Sequence, residues 1–595
     1  MSVAATMPQT ILEVFDATVK AHADRPAMLR KRGDAWEPIT WTGYQALVAR
    51  AARALVAHGV GPGSGVVVLS ANRPEWFVTN LAGMTVGARV AGIYTNNTPE
   101  QCHYIAEHAE AVVAVVDSPQ ALARLTPQGS RPASLRTIVL LDGEATGPGV
   151  VGWEAFLAAG DEAYEAEVAQ RRSALGGESA TTLIYTSGTT GTPKAVMLTQ
   201  RNLAFIAEKI QELVPIGTGD SLISYLPLSH IAEQVVSHLL SIATGAAVHF
   251  TESLDKVPAY LVEVRPHFFL GVPRVWEKMQ AAIEAKAAEA SPLRRRIAAW
   301  ARGVGLRAGD ADQTGRPRPW SYGLADRLVF SKVRARLGLD RARLMAVSSA
   351  PIAKETLEFF QSLGIPVMEV YGMSECTGPA TMSLPERYRL GWAGYTIPGT
   401  ELRLAEDGEV VVRGPHVFEG YYKDDAATAE ALDADGWLHT GDVGQIDRDG
   451  FLRITDRKKE LIITAGGKNI APQHLEGQLK QIAAVSQAVA IGDRRPYVVA
   501  LLTLDPARVV AEAQKAGSDA RTVDEAARSA PFRAYVEKQV ELVNARLARY
   551  ESIKKFALLP RELTVEAGEL TPTLKLKRRV ILERYREAIE GLYSA

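Results

Sequence analysis

The segment Tyr185-Thr186-Ser187-Gly188-Thr189-Thr190-Gly191-Thr192-Pro193-Lys194 decides how this chain is read. Thr181 to Ile184, just before it, reads as a short buried strand. The segment then packs five Ser/Thr hydroxyls, two glycines and a lysine into one turn. Glycine lets backbone come close to an anion and accepts positive φ. Consecutive backbone N–H groups flanked by hydroxyls make a concave cradle for phosphate oxygens, and Lys194 adds a mobile positive charge. The pattern G-x-x-x-x-G-K-[ST] is not met, because Gly188 and Gly191 stand too close together and Lys194 follows Pro193. A surface turn can share this composition, so the phosphate reading rests on what surrounds it.

The chain has 595 residues. Single cores stop growing near ~250–300 residues, so two or three domains are expected. Hydrophobic residues make up 47% and charged residues 23%, ordinary for a globular protein. A net charge of −1 gives the whole chain no bias towards nucleic acid or an acidic partner. Cys102 and Cys376 form no disulfide or metal-ligand spacing, which fits a reducing cytoplasm. Met1 to Val19 lacks a basic region followed by an apolar run, with Glu13 and Asp16 interrupting it. No stretch approaches the ~18 apolar residues of a spanning helix. A cytoplasmic protein, at most peripheral to a membrane, is expected.

Tyr44 to His58 has helical spacing and is stopped by the glycines at Gly59, Gly61 and Gly63. Gly65 to Leu69, Val112 to Val116, Thr137 to Leu141 and Ser221 to Leu226 read as strands. Their alternation with helices argues for parallel strands covered by helices. Residues 277–336 are rich in Ala and Arg, with a break expected from Gly309 to Pro319. Within Pro292 to Leu306, Leu293, Ile297, Trp300 and Val304 share one helical face, and Arg294, Arg295 and Arg302 lie away from it. Such a helix packs on its domain with its arginines in water, the preferred reading, or lies on an anionic membrane. After a strand from Gly450 to Thr455, a boundary is expected near Asp456. A smaller α+β unit follows, with strands at Leu461 to Thr464, Val485 to Ile491 and Tyr497 to Leu504, and helices from Pro506 and Pro531.

Further strings follow in order. They are Leu226-Pro227-Leu228-Ser229-His230, Ser348-Ser349-Ala350-Pro351-Ile352, Glu369-Val370-Tyr371-Gly372-Met373-Ser374-Glu375 and Asp435-Gly436-Trp437-Leu438-His439-Thr440-Gly441-Asp442. Then come Thr455-Asp456-Arg457-Lys458-Lys459-Glu460-Leu461-Ile462-Ile463, Gly466-Gly467-Lys468-Asn469 and Leu570-Thr571-Pro572-Thr573-Leu574-Lys575-Leu576-Lys577-Arg578-Arg579. Together with the opening segment, they resemble the AMP-forming adenylating enzymes, a family that includes acyl-CoA synthetases, luciferases and the adenylation domains of peptide synthetases. The string from Pro266 to Lys278 resembles the long-chain fatty acyl-CoA synthetase branch. The resemblance runs from about Pro8 to Tyr593.

The resemblance implies an α/β fold. A large adenylating domain of parallel and mixed sheets flanked by helices would span residues 1–456. A small mobile α+β domain would span 457–595, hinged at Lys459. Thr186, Ser187, Gly188, Thr189, Thr190, Gly191 and Lys194 would hold the phosphates of ATP. Tyr371, next to Gly372, would stack on the adenine, and Ser374 would donate to the α-phosphate. Glu375 and Thr186 would supply oxygens to Mg²⁺. Asp442 and Arg457 would reach the ribose. Ser349 and Ala350 would line the adenine and acyl pockets. Many members carry glycine where this chain has Ser349, which argues for a narrower acyl pocket. Gly466 and Gly467 would line the channel for the CoA thiol. His230 would sit beside the acyl carboxylate. Lys575 would be the catalytic lysine, with Lys577 the second choice; many members have Gly-Lys where this chain has Leu574-Lys575.

The implied activity is activation of a long-chain fatty acid to acyl-AMP with release of pyrophosphate, then transfer to CoA. Alternatives are a ligase that hands the acyl group to a carrier protein, an amino-acid adenylation domain, and a silent nucleotide- or lipid-binding protein. Cys376, next to Glu375, has no activating base beside it in the sequence and is not read as a nucleophile.

Overall fold

The structure is a computed structural model that describes residues 9–186, 192–464, 469–571 and 575–594. The β-branched runs read as strands do form the centre of a sheet. In order, that eight-stranded sheet contains Gly420–Tyr421, Lys194–Thr199, Ala180–Thr186, Arg89–Gly92, Gly65–Leu69, Ala111–Val116, Thr137–Leu140 and Val150–Gly152. The middle strands pair in parallel. Buried on both faces under helices, they need near-continuous apolar sequence, as Val66 to Leu69 and Val113 to Val116 supply. Ala180–Thr186 joins Arg89–Gly92 in parallel and returns antiparallel through Lys194–Thr199, with Thr186 opposite Lys194. This hairpin fixes both flanks of the glycine- and threonine-rich segment. Its Ser187, Gly188, Thr189, Thr190 and Gly191 lie outside the described residues.

A second sheet has five strands: Phe268–Gly271, Leu344–Val347, Val367–Met373, Gly378–Met382 and Tyr395–Thr396. Val367–Met373 turns back on Gly378–Met382, so Gly372 and the carbonyl of Gly378 nearly touch. A Cβ at Gly372 would lie 1.7 Å from that oxygen, so only glycine fits. Next in the chain, an antiparallel sheet pairs Leu438–Ile446 with Leu452–Arg457 and places Asp442 directly opposite Arg457.

Here the core changes. Ile454 still packs on the large core, and Ile462 begins a separate one. Between them the chain makes a turn through Lys458, Lys459 and Glu460. The small unit is a sheet of Val485–Ile491, Val498–Leu504 and Ile553–Leu558. Helices such as Ala530–Asn544 cover one face, and Arg578–Arg584 with Arg586–Tyr593 cover the other. The strand Ile553–Leu558 was not foreseen, because Lys554 and Lys555 hide its pattern.

The arginine-rich region departs from expectation. Its long helix is Pro292–Gln313 and passes straight through Gly309, where a break was expected. The glycines serve close packing instead. A Cβ at Gly305 would lie 2.3 Å from the Ser362 carbonyl, and one at Gly309 would lie 2.1 Å from the Gln361 side chain. Arg302 also packs inward, its guanidinium over the Phe359 ring and its Nε donating to Ser362 Oγ (3.0 Å). Of the apolar face read from the sequence, only Val304 is buried; Leu293, Ile297 and Trp300 stay exposed. No helix among the described residues is long and apolar enough to cross a membrane.

Candidate active site

A cleft of about 1570 Å³ runs between the large body and the small unit. Thr186 and Lys194 reach it from the eight-stranded sheet, and Ser349, Ala350, Tyr371, Gly372, Ser374 and Glu375 from the five-stranded sheet and its loops. His230, Asp442, Arg457 and Lys459 line it too, and Lys575 does so from the small unit. Gly466 and Gly467 lie outside the described residues.

Asp442 is the anchor. Its carboxylate accepts from Tyr371 Oη (2.8 Å) and faces Arg457 Nε at 3.2 Å. Burial pushes this carboxyl above its usual range while Arg457 pulls it down. The Tyr371 hydroxyl is therefore committed to protein. Glu375 accepts from Tyr421 Oη (2.9 Å), and the Lys194 ammonium lies 4.9 Å from the centre of the same tyrosine ring. Tyr421 thus links a cation and an anion of two different motifs, and nothing in the sequence singled it out. The Thr186 hydroxyl donates to the Lys194 carbonyl (3.5 Å).

His230 caps a short helical turn, its Nδ1 accepting from Ala232 N–H (3.0 Å). Burial, helped by Lys575, holds its pKa near 4, so the imidazole is neutral. Lys575 sits on a tight loop: Thr571 N–H donates to the Lys575 carbonyl (2.8 Å), and Lys575 N–H donates to Thr571 Oγ1 (3.0 Å). The loop is rooted on Glu569, a fully buried carboxylate that accepts from Arg561, Arg584 and Tyr585 (2.6–3.0 Å). Lys575 keeps solvent access. The surrounding walls of the cleft, and Arg457, still lower its ammonium to about 8.

Two residues passed over in the sequence belong here. Glu369, two residues before Tyr371, accepts from Gly391 N–H (2.6 Å), and burial raises its carboxyl to about 8. Arg578 follows the Lys575 loop. It donates to Glu460 Oε2 (3.2 Å) in the interdomain turn and to both oxygens of Glu476 (2.6 and 2.7 Å). Its place inside a basic string was the only signal it gave.

Ser349 has φ +74°, in the left-handed region that favours glycine. The glycine that many members of the resembled family carry there thus has a backbone reason, besides any effect on pocket width. Cys376 is buried, and burial pushes its thiol up to about 12, so it holds no reactive thiolate. The apolar side chains Ile210, Val214, Val235, Val236, Leu240 and Leu270 also line the cleft.

The AMP-binding enzyme family matches residues 15–422, and the AMP-binding enzyme C-terminal domain matches residues 459–595. The chain belongs to this AMP-binding enzyme family. A long-chain-fatty-acid–CoA ligase of Xenopus laevis is 37% identical, over 100% of this chain and 85% of its own length. One of Homo sapiens is 36% identical over 99% of this chain and 86% of its own. Solved structures share the fold. An anthranilate CoA ligase in complex with anthranoyl-AMP superposes with a TM-score of 0.73 at 18% identity, over 98% of each chain. A Mycobacterium tuberculosis fatty acyl CoA synthetase gives 0.61 at 20% identity, over 98% of this chain and 99% of its own.

Proposed function

We propose that this family member is an AMP-forming long-chain fatty acid–CoA ligase, and that its two domains meet at 456/457 and turn about Lys459. One observation carries the reading. Lys575 of the small unit and the Asp442–Arg457 pair and Glu375 of the large body line one cleft, together with apolar side chains such as Val235, Leu240 and Leu270.

A carboxylate is a poor acyl donor because oxide would have to leave. Attack of a carboxylate oxygen on the ATP α-phosphorus, with the bond to pyrophosphate breaking, turns that group into AMP. Both reactants are anions, so the barrier is largely electrostatic. Lys575, Lys194 and the N–H groups of the glycine-rich segment would offset the charge that develops. Asp442, held by Tyr371 and Arg457, would accept from the ribose hydroxyls. Neutral His230 would position the carboxylate without an ion pair that pins it. In the second step the CoA sulfur attacks the acyl carbon, the bond to AMP breaks and the thiol proton is lost. No protein nucleophile is needed.

Among the described residues no group of three or more His, Cys, Asp or Glu could hold a metal. Glu375 and Thr186 fit a Mg²⁺ that takes most of its oxygens from phosphate and water. Bound there, the ion would neutralise phosphate charge. Lys459 Nζ pairs with Glu430 (3.0 Å) where both side chains are exposed. Two side chains paired in water hold each other only weakly, which would not lock a hinge.

The test is incubation with MgATP, CoA and carboxylates of graded length, read by mass spectrometry. Long-chain acyl-CoA is expected. Acyl-AMP accumulating in the presence of CoA would favour a carrier-protein acceptor instead.

A further inference from the structure

Half of the exposed large apolar side chains among the described residues fall between Leu293 and Leu328. Trp320 is 93% exposed and Trp300 39%. Leu293, Ile297, Leu324 and Leu328 are exposed in the same stretch of chain. Ala301 and Val304 of the Pro292–Gln313 helix pack against Ala325 and Phe330 of the next helical segment. Leu293, Ile297 and Trp300 share the helical face of Val304, and Leu324 and Leu328 flank Ala325 in the chain. The uncovered residues therefore extend outward from this shared seam.

Charge is segregated in the same place. From Ser291 to Gly309 the chain carries Arg294, Arg295, Arg296, Arg302 and Arg307 and no acidic residue, against a net charge of −1 for the whole protein. Arg294, Arg295 and Arg296 are exposed and have no ion-pair partner among the described residues. The nearby Asp310, Asp312 and Asp326 are already paired with Arg316, Arg318 and Arg334. Surface tryptophan and leucine next to unpaired arginine suit a boundary with an apolar side and an anionic side. Arginine also matches phosphate in its donor geometry.

We infer that this region docks the protein on an anionic lipid surface through Leu293, Ile297 and Trp300 of the helix and Trp320 of the turn that follows it, with Arg294 and Arg296, which flank the apolar side of the helix, on headgroup phosphates. The purpose of docking rests on the ligase reading. The preceding helix, Pro273–Ala288, lines the cleft with Arg274, Lys278 and Ala281, and only three residues separate it from the basic helix. A lipid-borne fatty acid would therefore reach the site from the same side.

The test is flotation of the full chain with vesicles, either pure phosphatidylcholine or equal parts phosphatidylcholine and phosphatidylglycerol. Binding is expected only to the mixed vesicles and is expected to weaken with salt. R294E/R295E/R296E should lower it by about 100-fold, and W300S/W320S should lower it as well. Both variants should keep the wild-type circular dichroism and the wild-type rate on a short, water-soluble fatty acid. Equal binding to both vesicles, no binding, or unchanged binding by the variants overturns the inference. So does a wild-type dimer that W300S/W320S splits, since the occupant would then be a second copy. Vesicle binding without activation of any fatty acid would overturn the ligase reading and leave this one standing.

Discussion

In the proposed reaction Lys575 supplies the charge that adenylation needs, and its environment sets the pH at which it carries that charge. The surrounding cleft walls, and Arg457, lower its ammonium to about 8. The protonated, useful form therefore prevails below that value and is lost above it. In the free enzyme, kcat/KM for adenylation should fall as pH rises through about 8, and Lys575→Arg should move that fall to higher pH. An alkaline limb unchanged in the arginine variant would show that another group titrates. Ser349 poses a question of backbone strain. Holding a non-glycine residue in the left-handed region costs roughly 1–2 kcal/mol, while glycine loses roughly 0.5–1 kcal/mol more entropy on folding. The difference favours glycine slightly, and β-branching makes the conformation worse. Thermal unfolding should therefore rank Ser349→Gly at or above wild type and Ser349→Val clearly below it. Equal midpoints for all three would mean that no strain resides there.

The strands of the large sheet were legible because burial on both faces demands unbroken apolar sequence, as at Gly65–Leu69, whose limits match the reading. The residues that line the cleft were legible as strings, because glycine, hydroxyl and acidic residues concentrate at strand ends. Partnerships between distant segments were not. Tyr421 meets Glu375 and Lys194 only after three segments fold together. The Pro292–Gln313 helix misled for a similar reason: glycine weakens an isolated helix, but at Gly305 and Gly309 it allows the close approach to Gln361 and Ser362. Arg578 makes an element-scale prediction. It clamps the Lys575 loop to Glu460 and to buried Glu476. Arg578→Lys keeps the charge but loses the fork that serves both carboxylates. Its adenylation rate should fall, and Glu460→Gln added to it should cost less than it does alone, a coupling of about 0.5–3 kcal/mol. Strict additivity in a double-mutant cycle would remove the clamp.

At the scale of the molecule, two cores meet across one cleft and are joined by the turn at Lys458 to Glu460. A lysine standing at the α-phosphate would obstruct a thiol arriving from its side, so the proposed mechanism requires the small unit to turn between the two steps. Lys459→Pro, which fixes φ in that turn, should spare acyl-AMP formation and slow thioester formation; equal rates of thioester formation in variant and wild type would remove the hinge. The central claim is that the small unit lends its ammonium for adenylation alone. The most direct measurement compares the two half-reactions in wild type and Lys575→Ala: fatty-acid-dependent exchange of pyrophosphate into ATP, and acyl-CoA formation from supplied acyl-AMP. The exchange should drop by about 10²–10³ while thioester formation stays within a few-fold of wild type. No exchange in the wild type, or equal losses in both half-reactions of the variant, would contradict the account.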